Sequence, residues 1–462
     1  MKSKRLILVA ILAFVVGGGI TAAVLIGPGT GEGIPGDADV NVYYSSLVGD
    51  QPDTPGEDAD YIGSLKNNEA PLPPYMVKSL EWMAKAQHKN GGFGAGTHAR
   101  QDVMDPHGVH TDPATSALVG MAFIRTGNTL KSGPYHKQVQ GVHLYLMDFI
   151  EGAATKATKE GKENSDFDNE INYGGRGLNM NYDSQTQPQR KLGQNIDATF
   201  ASQFLTRVLE FIEPGSELET RTKNSIEICI KSIEEKQNEN GSMSGGTWAG
   251  VLQSSMANVA LEQADGRGMS VDKSKLKKAR GYQRDNVDIA TGGAKGDASA
   301  GISLYTYSST NRSTAANTRN ARVAIQKAKD QGLLDEDADI SEDNLVKAGV
   351  EKEEAKEWND DFRANEVSAQ QLQREDVLSG FGNNGGEEFI SYMMTSEGLV
   401  ISGGEAWDDW NGKMNKRLSK IQNPDGSWSG HHCITSPVFC TAAVIMTLAT
   451  DRDVEYIATT VK

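Results

Sequence analysis

A turn motif that recurs three times along the chain constrains the fold more than any other feature of the sequence. The copies are residues 87–94 (QHKNGGFG), 237–244 (QNENGSMS) and 422–429 (QNPDGSWS). They share a Gln, two residues, an Asn or Asp, a Gly, a small residue, a large apolar residue and then a Gly or Ser. Asn-Gly and Asp-Gly favour the positive φ that reverses a chain, so each copy predicts a turn between two elements. Such a recurring turn indicates a repeat architecture.

The segments on either side of these turns have helical periodicity. The amphipathic stretches that precede them are residues 76–86, 225–236 and 414–421. Glycines of three weaker copies precede the apolar segments 196–212, 298–307 and 389–401. The pattern predicts an all-α chain of six helical hairpins, whose second helices begin near Asp112, Ile196, Thr247, Ala298, Glu387 and Ser436. Because the second helices carry fewer charges, we expect them to form a buried inner wall.

The N-terminal segment predicts export from the cytoplasm. Residues 6–26 contain no charged residue and follow Lys2, Lys4 and Arg5, so they can span a bilayer with the basic end inside. Residues 1–27 are therefore a membrane anchor or, alternatively, a cleaved signal segment. In both cases the rest of the chain faces the periplasm or the extracellular side. The Gly-, Pro- and Asp-rich residues 28–74 are typical of a tether.

Charge and cysteine content exclude some functions and leave others open. The formal net charge of −16 disfavours binding to nucleic acid, which requires clustered Lys and Arg. Export permits a disulfide, and the three cysteines Cys229, Cys433 and Cys440 allow at most one within the chain. Cys433 and Cys440 are the nearer pair in sequence. Two charged insertions lie at about 152–190 and 330–375. The second is interpreted as a surface elaboration that contains one or two helices or, alternatively, as a lid over the mouth of the ring.

Two copies of the turn motif carry a family resemblance. The better copy contains Arg417, Leu418, Gln422, Gly426, Ser427 and Trp428, and the other contains Trp82, Met83, Gln87, Gly91, Gly92 and Phe93. This arrangement resembles the QW motif of squalene and oxidosqualene cyclases and the related repeat of protein prenyltransferase β subunits. The resemblance implies an α/α toroid over residues 75–455, with a central cavity for an apolar or isoprenoid-like molecule. The DxDD acid motif of squalene cyclases does not occur in the sequence.

The histidines are unevenly distributed and predict a metal site. All eight lie within residues 87–143 or at His431 and His432. A closed ring would place the first and last repeats side by side, so that His98, His107 and His110 could approach His432 and Cys433. Imidazole and thiolate are ligands that suit zinc. The alternatives are a polar cavity without metal, or capping and packing roles alone.

Prenyltransferase β subunits hold zinc with an Asp, a Cys and a His, and this resemblance guides the choice of ligands. By position His432 resembles the histidine, and Glu387 or Glu388 lies where the acidic ligand would be. No Asp-x-Cys string occurs in the fifth repeat. The expected ligand set is therefore His432, Cys433, His110 and Glu387. Glu388 and Tyr392 lie one helical turn apart, and with His432 they are the candidate catalytic acid/base groups if that face looks inward.

These features support several functional hypotheses. The first is a membrane-anchored, extracytoplasmic toroid that binds or processes an apolar or isoprenoid-like molecule, with zinc as a possible cofactor. The second is a non-catalytic scaffold whose partner is another envelope protein. The third is a polysaccharide-active enzyme, for which Trp407, Trp410 and Trp428 are the candidate stacking residues.

Overall fold

The computed structural model describes residues 67–159, 185–245, 247–296 and 299–460. In these ranges the chain is helical and forms no β-strand, which confirms the predicted all-α class. The helices are α1 (Pro74–Lys85), α2 (Pro113–Arg125), α3 (His136–Lys159), α4 (Gln187–Leu192), α5 (Ile196–Val208), α6 (Glu217–Glu235), α7 (Gly250–Gly266), α8 (Lys273–Arg284), α9 (Ser303–Asp330), α10 (Glu342–Lys347), α11 (Lys352–Gln371), α12 (Glu375–Leu378), α13 (Gly386–Ser402), α14 (Ala406–Ser419), α15 (Pro437–Leu448) and α16 (Val454–Thr459).

The six helices α2, α5, α7, α9, α13 and α15 are buried over most of their surface, and we call them the buried helices. Each contacts the next in this order, and α15 also contacts α2. The predicted starts of α2, α5, α13 and α15 lie within one residue of the observed ones. Those of α7 and α9 were placed three and five residues too early. The expectation that the less charged helices are buried is confirmed.

The repeated Gln connects each turn to a neighbouring hairpin. Gln87 Nε2 donates to Gly91 O at 2.8 Å and to Gln138 O at 3.0 Å, close to the start of α3. Gln422 Nε2 donates in the same way to Gly426 O and to Tyr75 O on α1, both at 3.0 Å. The last repeat is thereby hydrogen-bonded to the first helix. A side chain at Gly91 would place a Cβ 2.4 Å from Gly141 O, which explains the glycine there.

The second charged insertion packs against the buried helices through one face of its longest helix. Its longest helix, α11, packs along α9 through the small side chains Ala355, Ala364 and Ser368, which are buried. Asp361 on the same helix is fully buried and accepts a hydrogen bond from Asn317 Nδ2 at 2.7 Å. The many exposed charges of the segment obscure this narrow stripe of small residues in the sequence. Of the first insertion, residues 160–184 lie outside the described ranges.

A chain of buried ion pairs links the buried helices, and we call it the ion-pair chain. Its members alternate in charge and are at most 12% exposed: Arg280, Glu262, Arg312, Glu397, Arg125, Asp453 and Arg207. Arg312 lies 3.1 Å from Glu262 and 3.2 Å from Glu397, and Arg125 Nη1 also donates to Met446 O on α15. The members on α2, α5, α7, α9 and α13 each lie about three turns after the start of their helix. These helices therefore run in the same direction.

The first residues that the structure describes, Asn67 and Asn68, pack against the segment that follows the C-terminal end of α15. Asn68 N donates to Asp451 O at 2.8 Å, and Asn68 Nδ2 donates to Asp451 Oδ2 at 2.6 Å. Asn67 Oδ1 accepts a hydrogen bond from Glu455 N at 3.2 Å. The predicted anchor at residues 1–27 and most of the predicted tether lie outside the described ranges. Among the described helices, none is both long enough and apolar enough to span a bilayer.

The buried His143 gives a prediction about the pH dependence of stability. It lies on α3 with its Nε2 2.9 Å from Thr222 Oγ1, and burial lowers its pKa to about 3. Below about pH 6.5 only the unfolded chain takes up this proton. As the pH falls from about 6.5 towards the folded pKa, the free energy of unfolding should therefore fall by up to about 1.4 kcal/mol per pH unit.

Urea unfolding at several pH values should show this contribution of His143 in the parent and not in His143→Gln. An unchanged slope in that variant, or an equal loss in the exposed control His431→Gln, contradicts the assignment.

Candidate functional site

The candidate site lies at the N-terminal end of the buried helices, where the loop before α13 meets the loop before α15. Gly386 N donates to Ile434 O at 3.0 Å, and His431 N donates to Asn384 O at 2.8 Å. The two loops approach so closely that a Cβ on Gly385 would lie 2.8 Å from His432 O. The glycines of these two loops therefore allow the fifth and sixth repeats to bring their polar residues together.

Three of these residues have the composition of a metal centre, and we call them the Glu–His–Cys site. One ligand atom each from Glu387, His432 and Cys433 lie within 4.8 Å of one another. These are three of the four ligands expected from the sequence. The fourth, His110, is exposed in the turn before α2 and is not part of this cluster. The prediction for His110 is thus corrected: the loop before α2 does reach the last repeat, where Thr435 Oγ1 donates to Gln101 O at 2.7 Å, but His110 itself is exposed and lies outside the cluster.

Two buried atoms of the Glu–His–Cys site have no hydrogen-bond partner among the residues that the structure describes. His432 Nε2 lies 2.7 Å from Asn383 O and must donate to it, so in the neutral ring Nδ1 carries the lone pair. His432 Nδ1 and Glu387 Oε1 are both without a partner. A buried polar atom without a partner costs about 1–3 kcal/mol. A carbonyl that orients a histidine through its second nitrogen is also typical of metal sites, so these residues fit a bound cation.

Burial raises the pKa of the two acidic groups of the Glu–His–Cys site, the Glu387 carboxyl and the Cys433 thiol. The pKa of Glu387 is raised to about 8, first by burial and then by the adjacent charge of Glu388. The pKa of the Cys433 thiol is raised to about 12 by burial and by Glu387. Both groups therefore carry protons at neutral pH when no cation is bound. A divalent cation would displace these protons, because metal ligands bind in their deprotonated forms.

Cys433 has a backbone conformation that is unfavourable for a residue with a side chain. Its φ is +59°, in the left-handed region that glycine adopts most easily. Such positions cost about 1–3 kcal/mol and cluster at functional sites. The strain is consistent with a cysteine that is held in place for its thiol.

Glu388 and Tyr392, the predicted acid/base pair, make different contacts from those expected. Glu388 accepts hydrogen bonds from Gly385 N at 2.8 Å and from the Tyr305 hydroxyl at 2.6 Å, so it caps α13. Tyr392 donates to Leu378 O at 2.6 Å, and its ring packs against Trp410 of α14. Tyr392 therefore lies outside the Glu–His–Cys site. Glu388 borders it, with Oε2 3.6 Å from His432 Nε2.

Three further residues surround the site and were not identified from the sequence. Phe381 lies 5.2 Å from the His432 ring, and Trp248 lies 6.2 Å from Phe381, between ring centroids. These two side chains are 53% and 40% exposed, and we call them the aromatic rim. The Lys191 ammonium lies 5.0 Å from the Trp248 ring centroid and interacts with both Glu387 and Cys433. Lys191 directly follows the predicted charged insertion at about 152–190, and nothing in the local sequence indicates its position.

Other predicted candidates have structural roles. His107 Nε2 lies 3.0 Å from Lys85 O, and its ring packs against His88 at 5.2 Å. Trp410 and Trp428 are fully buried, so they cannot stack on a sugar, and Trp428 Nε1 donates to Leu418 O. All three cysteines are free, so Cys433 and Cys440 do not form a disulfide.

Comparisons with known protein families, with curated proteins and with solved structures give no match to this chain. The function therefore has to be argued from the site and its chemistry.

Proposed function

We propose that the protein is an extracytoplasmic α/α toroid with a catalytic zinc centre formed by Glu387, His432 and Cys433. The toroid is supported by the order of contacts among the buried helices and by the hydrogen bond from Gln422 to Tyr75. It is also supported by the resemblance of the turn motif to the repeats of terpenoid cyclases and protein prenyltransferases. In this proposal residues 1–27 attach the domain to the outer face of the cytoplasmic membrane.

The observation that carries the zinc proposal is the pair of buried atoms without partners, Glu387 Oε1 and His432 Nδ1, beside the Cys433 thiol. One carboxylate oxygen, one imidazole nitrogen and one thiolate suit zinc better than magnesium or calcium, which prefer oxygen ligands. Structural zinc sites usually have four protein ligands, whereas catalytic sites have three and keep one position open. When bound, zinc acts as a Lewis acid and lowers the pKa of bound water.

The surrounding residues have defined tasks in this proposal. The Asn383 carbonyl holds the His432 ring with Nδ1 directed into the site, and Glu388 lies beside the same ring. Lys191 places a positive charge next to Cys433, which would stabilise its thiolate form. The aromatic rim offers an apolar surface at the edge of the site. A small apolar ligand could therefore be held there without entering the interior of the toroid.

Metal analysis of the purified full chain tests this proposal. The protein should be freed of metal with a chelator and then titrated with Zn²⁺. We expect one tightly bound zinc ion per chain, and Co²⁺ should give the absorption bands of a thiolate-ligated tetrahedral site. If neither ion binds, the zinc centre is rejected and the non-catalytic scaffold is the better hypothesis. A stoichiometric partner recovered from solubilised membranes would then support that second function.

A further inference from the structure

Lys191 and the aromatic rim form a second group of residues whose arrangement points to a ligand. They are not among the three metal ligands, and they do not stabilise the core. Trp248 and Phe381 expose large apolar surfaces directly beside buried polar groups. Lys191 lies between them and the Glu–His–Cys site, in contact with Cys433 and near the Trp248 ring.

Lys191 is held in this position by a well-anchored helix. The Thr186 and Gln189 side chains form a capping box at the start of α4. The Gln187 Oε1 accepts hydrogen bonds from Thr435 N at 2.7 Å and Ser436 N at 3.2 Å, which joins α4 to the start of α15. The Lys191 carbonyl accepts a hydrogen bond from Ala249 N at 3.1 Å. Lys191 and Trp248 are therefore fixed relative to each other before any ligand arrives.

The charges around the site restrict the class of ligand. Glu388 is already used as a helix cap, and Glu387 is buried within the site. Among the described residues that contact the aromatic rim or the Glu–His–Cys site, Lys191 therefore offers an accessible charge, since its side chain is only partly buried. This ammonium already lies near the Trp248 ring, so a cationic ligand would be repelled there. An anionic group would gain a charge-assisted hydrogen bond from the ammonium.

We infer that this surface binds a small carboxylate that carries an apolar or aromatic group. The carboxylate pairs with Lys191, and the apolar group lies against Trp248 and Phe381. This inference names the ligand class of the proposed zinc site. It depends on that proposal only in the claim that the ligand is a substrate. Its contacts come from the chain itself, so the binding can be measured separately from zinc.

Binding of 3-phenylpropionate to the full chain tests the inference, with 3-phenylpropionamide and acetate as the comparison ligands. Calorimetry should show that the aromatic carboxylate binds at least about tenfold more tightly than the uncharged amide or the small acid. Lys191→Met should remove the preference for carboxylate over amide, and Lys191→Arg should retain it. Trp248→Ala should weaken both aromatic ligands about tenfold and leave the carboxylate preference intact.

Matched variants show whether these effects are local. Lys277→Met removes an exposed lysine of α8, and Leu333→Ala removes an exposed apolar side chain after α9. Neither should change the affinity for 3-phenylpropionate. The inference is overturned if the amide binds as tightly as the acid, or if these controls weaken binding as much as Lys191→Met and Trp248→Ala.

Zinc content measured on the same samples separates the two proposals. If one zinc ion binds and 3-phenylpropionate shows no preference, the ligand inference alone is wrong. If 3-phenylpropionate binds with the expected preference and no zinc is taken up, the zinc centre alone is wrong. Thermal unfolding of Lys191→Met establishes that the variant is folded, and Lys191→Arg provides the test if it is not.

Discussion

Cys433→Gly is expected to weaken zinc binding by at least about a hundredfold and to stabilise the metal-free protein. The first effect follows because the variant loses the one thiolate of the site. Even mutation of a residue that only hydrogen-bonds to a metal ligand typically lowers metal affinity about 10–100-fold. The second follows because glycine adopts φ near +59° without strain. After the added flexibility of the unfolded chain is subtracted, a gain of up to about 1 kcal/mol remains. Zinc titration and urea unfolding of metal-free samples measure the two effects.

Two controls separate the effect of losing the thiol from the effect of relieving the backbone strain. Ala300 has φ +52°, so Ala300→Gly should relieve a similar strain and leave zinc binding unchanged. Cys440→Ala removes a buried thiol seven residues away that is not part of the cluster, and it should also retain zinc. Loss of zinc in either control, or normal zinc affinity in Cys433→Gly, would show that Cys433 is not a ligand.

Arg312→Met is expected to lower the free energy of unfolding by about 3–5 kcal/mol, the usual cost of removing one partner of a buried ion pair. Arg312 is 1% exposed and is the cation between Glu262 and Glu397 in the ion-pair chain. Burial alone would raise the pKa of Glu397, but the charges of Arg125 and Arg312 outweigh it and hold that pKa below its ordinary value. Without Arg312, the two buried carboxylates lose part of the positive charge that neutralises them. Urea unfolding at pH 7 gives the difference.

An exposed arginine is the matched control for this measurement. Arg374 pairs with Asp376 at 2.6 Å, but both side chains are more than half exposed. Arg374→Met should leave the unfolding midpoint nearly unchanged, because water screens such pairs. If Arg312→Met is as mild as this control, the ion-pair chain contributes little to stability. Should Arg312→Met fail to fold, the conservative Arg312→Lys should still show a clear loss, because lysine cannot reach two carboxylates with a planar fork.

The order of helices could be predicted because it depends on local chemistry. A Gly with positive φ after Asn or Asp, as at Gly91, Gly241 and Gly426, fixes each turn and thereby the start of the next buried helix. The degenerate turn before α9 lacks a full motif, and its predicted start was displaced by five residues. The same local reasoning identified Glu387, which lies at the start of α13, and His432 and Cys433, which lie in the turn that precedes α15.

The remaining parts of the site depend on tertiary distances that the sequence does not contain. His110 and His432 both lie in turns before buried helices, yet only His432 reaches Glu387 and Cys433. Lys191 reaches the same place from the short helix α4, where no sequence pattern marks it. The ion-pair chain also could not be predicted from the sequence, because the few charged residues of the buried helices are far apart along the chain. They become neighbours only when the helices pack in parallel with similar register.

The contacts of Asn67 and Asn68 with Asp451 and Glu455 establish where the predicted tether joins the domain. Helix α15 separates this attachment point from the Glu–His–Cys site, and its 12 residues span about 18 Å. If residues 1–27 hold the chain in a bilayer, as we propose, the proposed zinc centre lies at the opposite end of α15 from the point where the tether joins the domain. Ligands dissolved in the surrounding water would then reach it directly, whereas a lipid would first have to leave the bilayer.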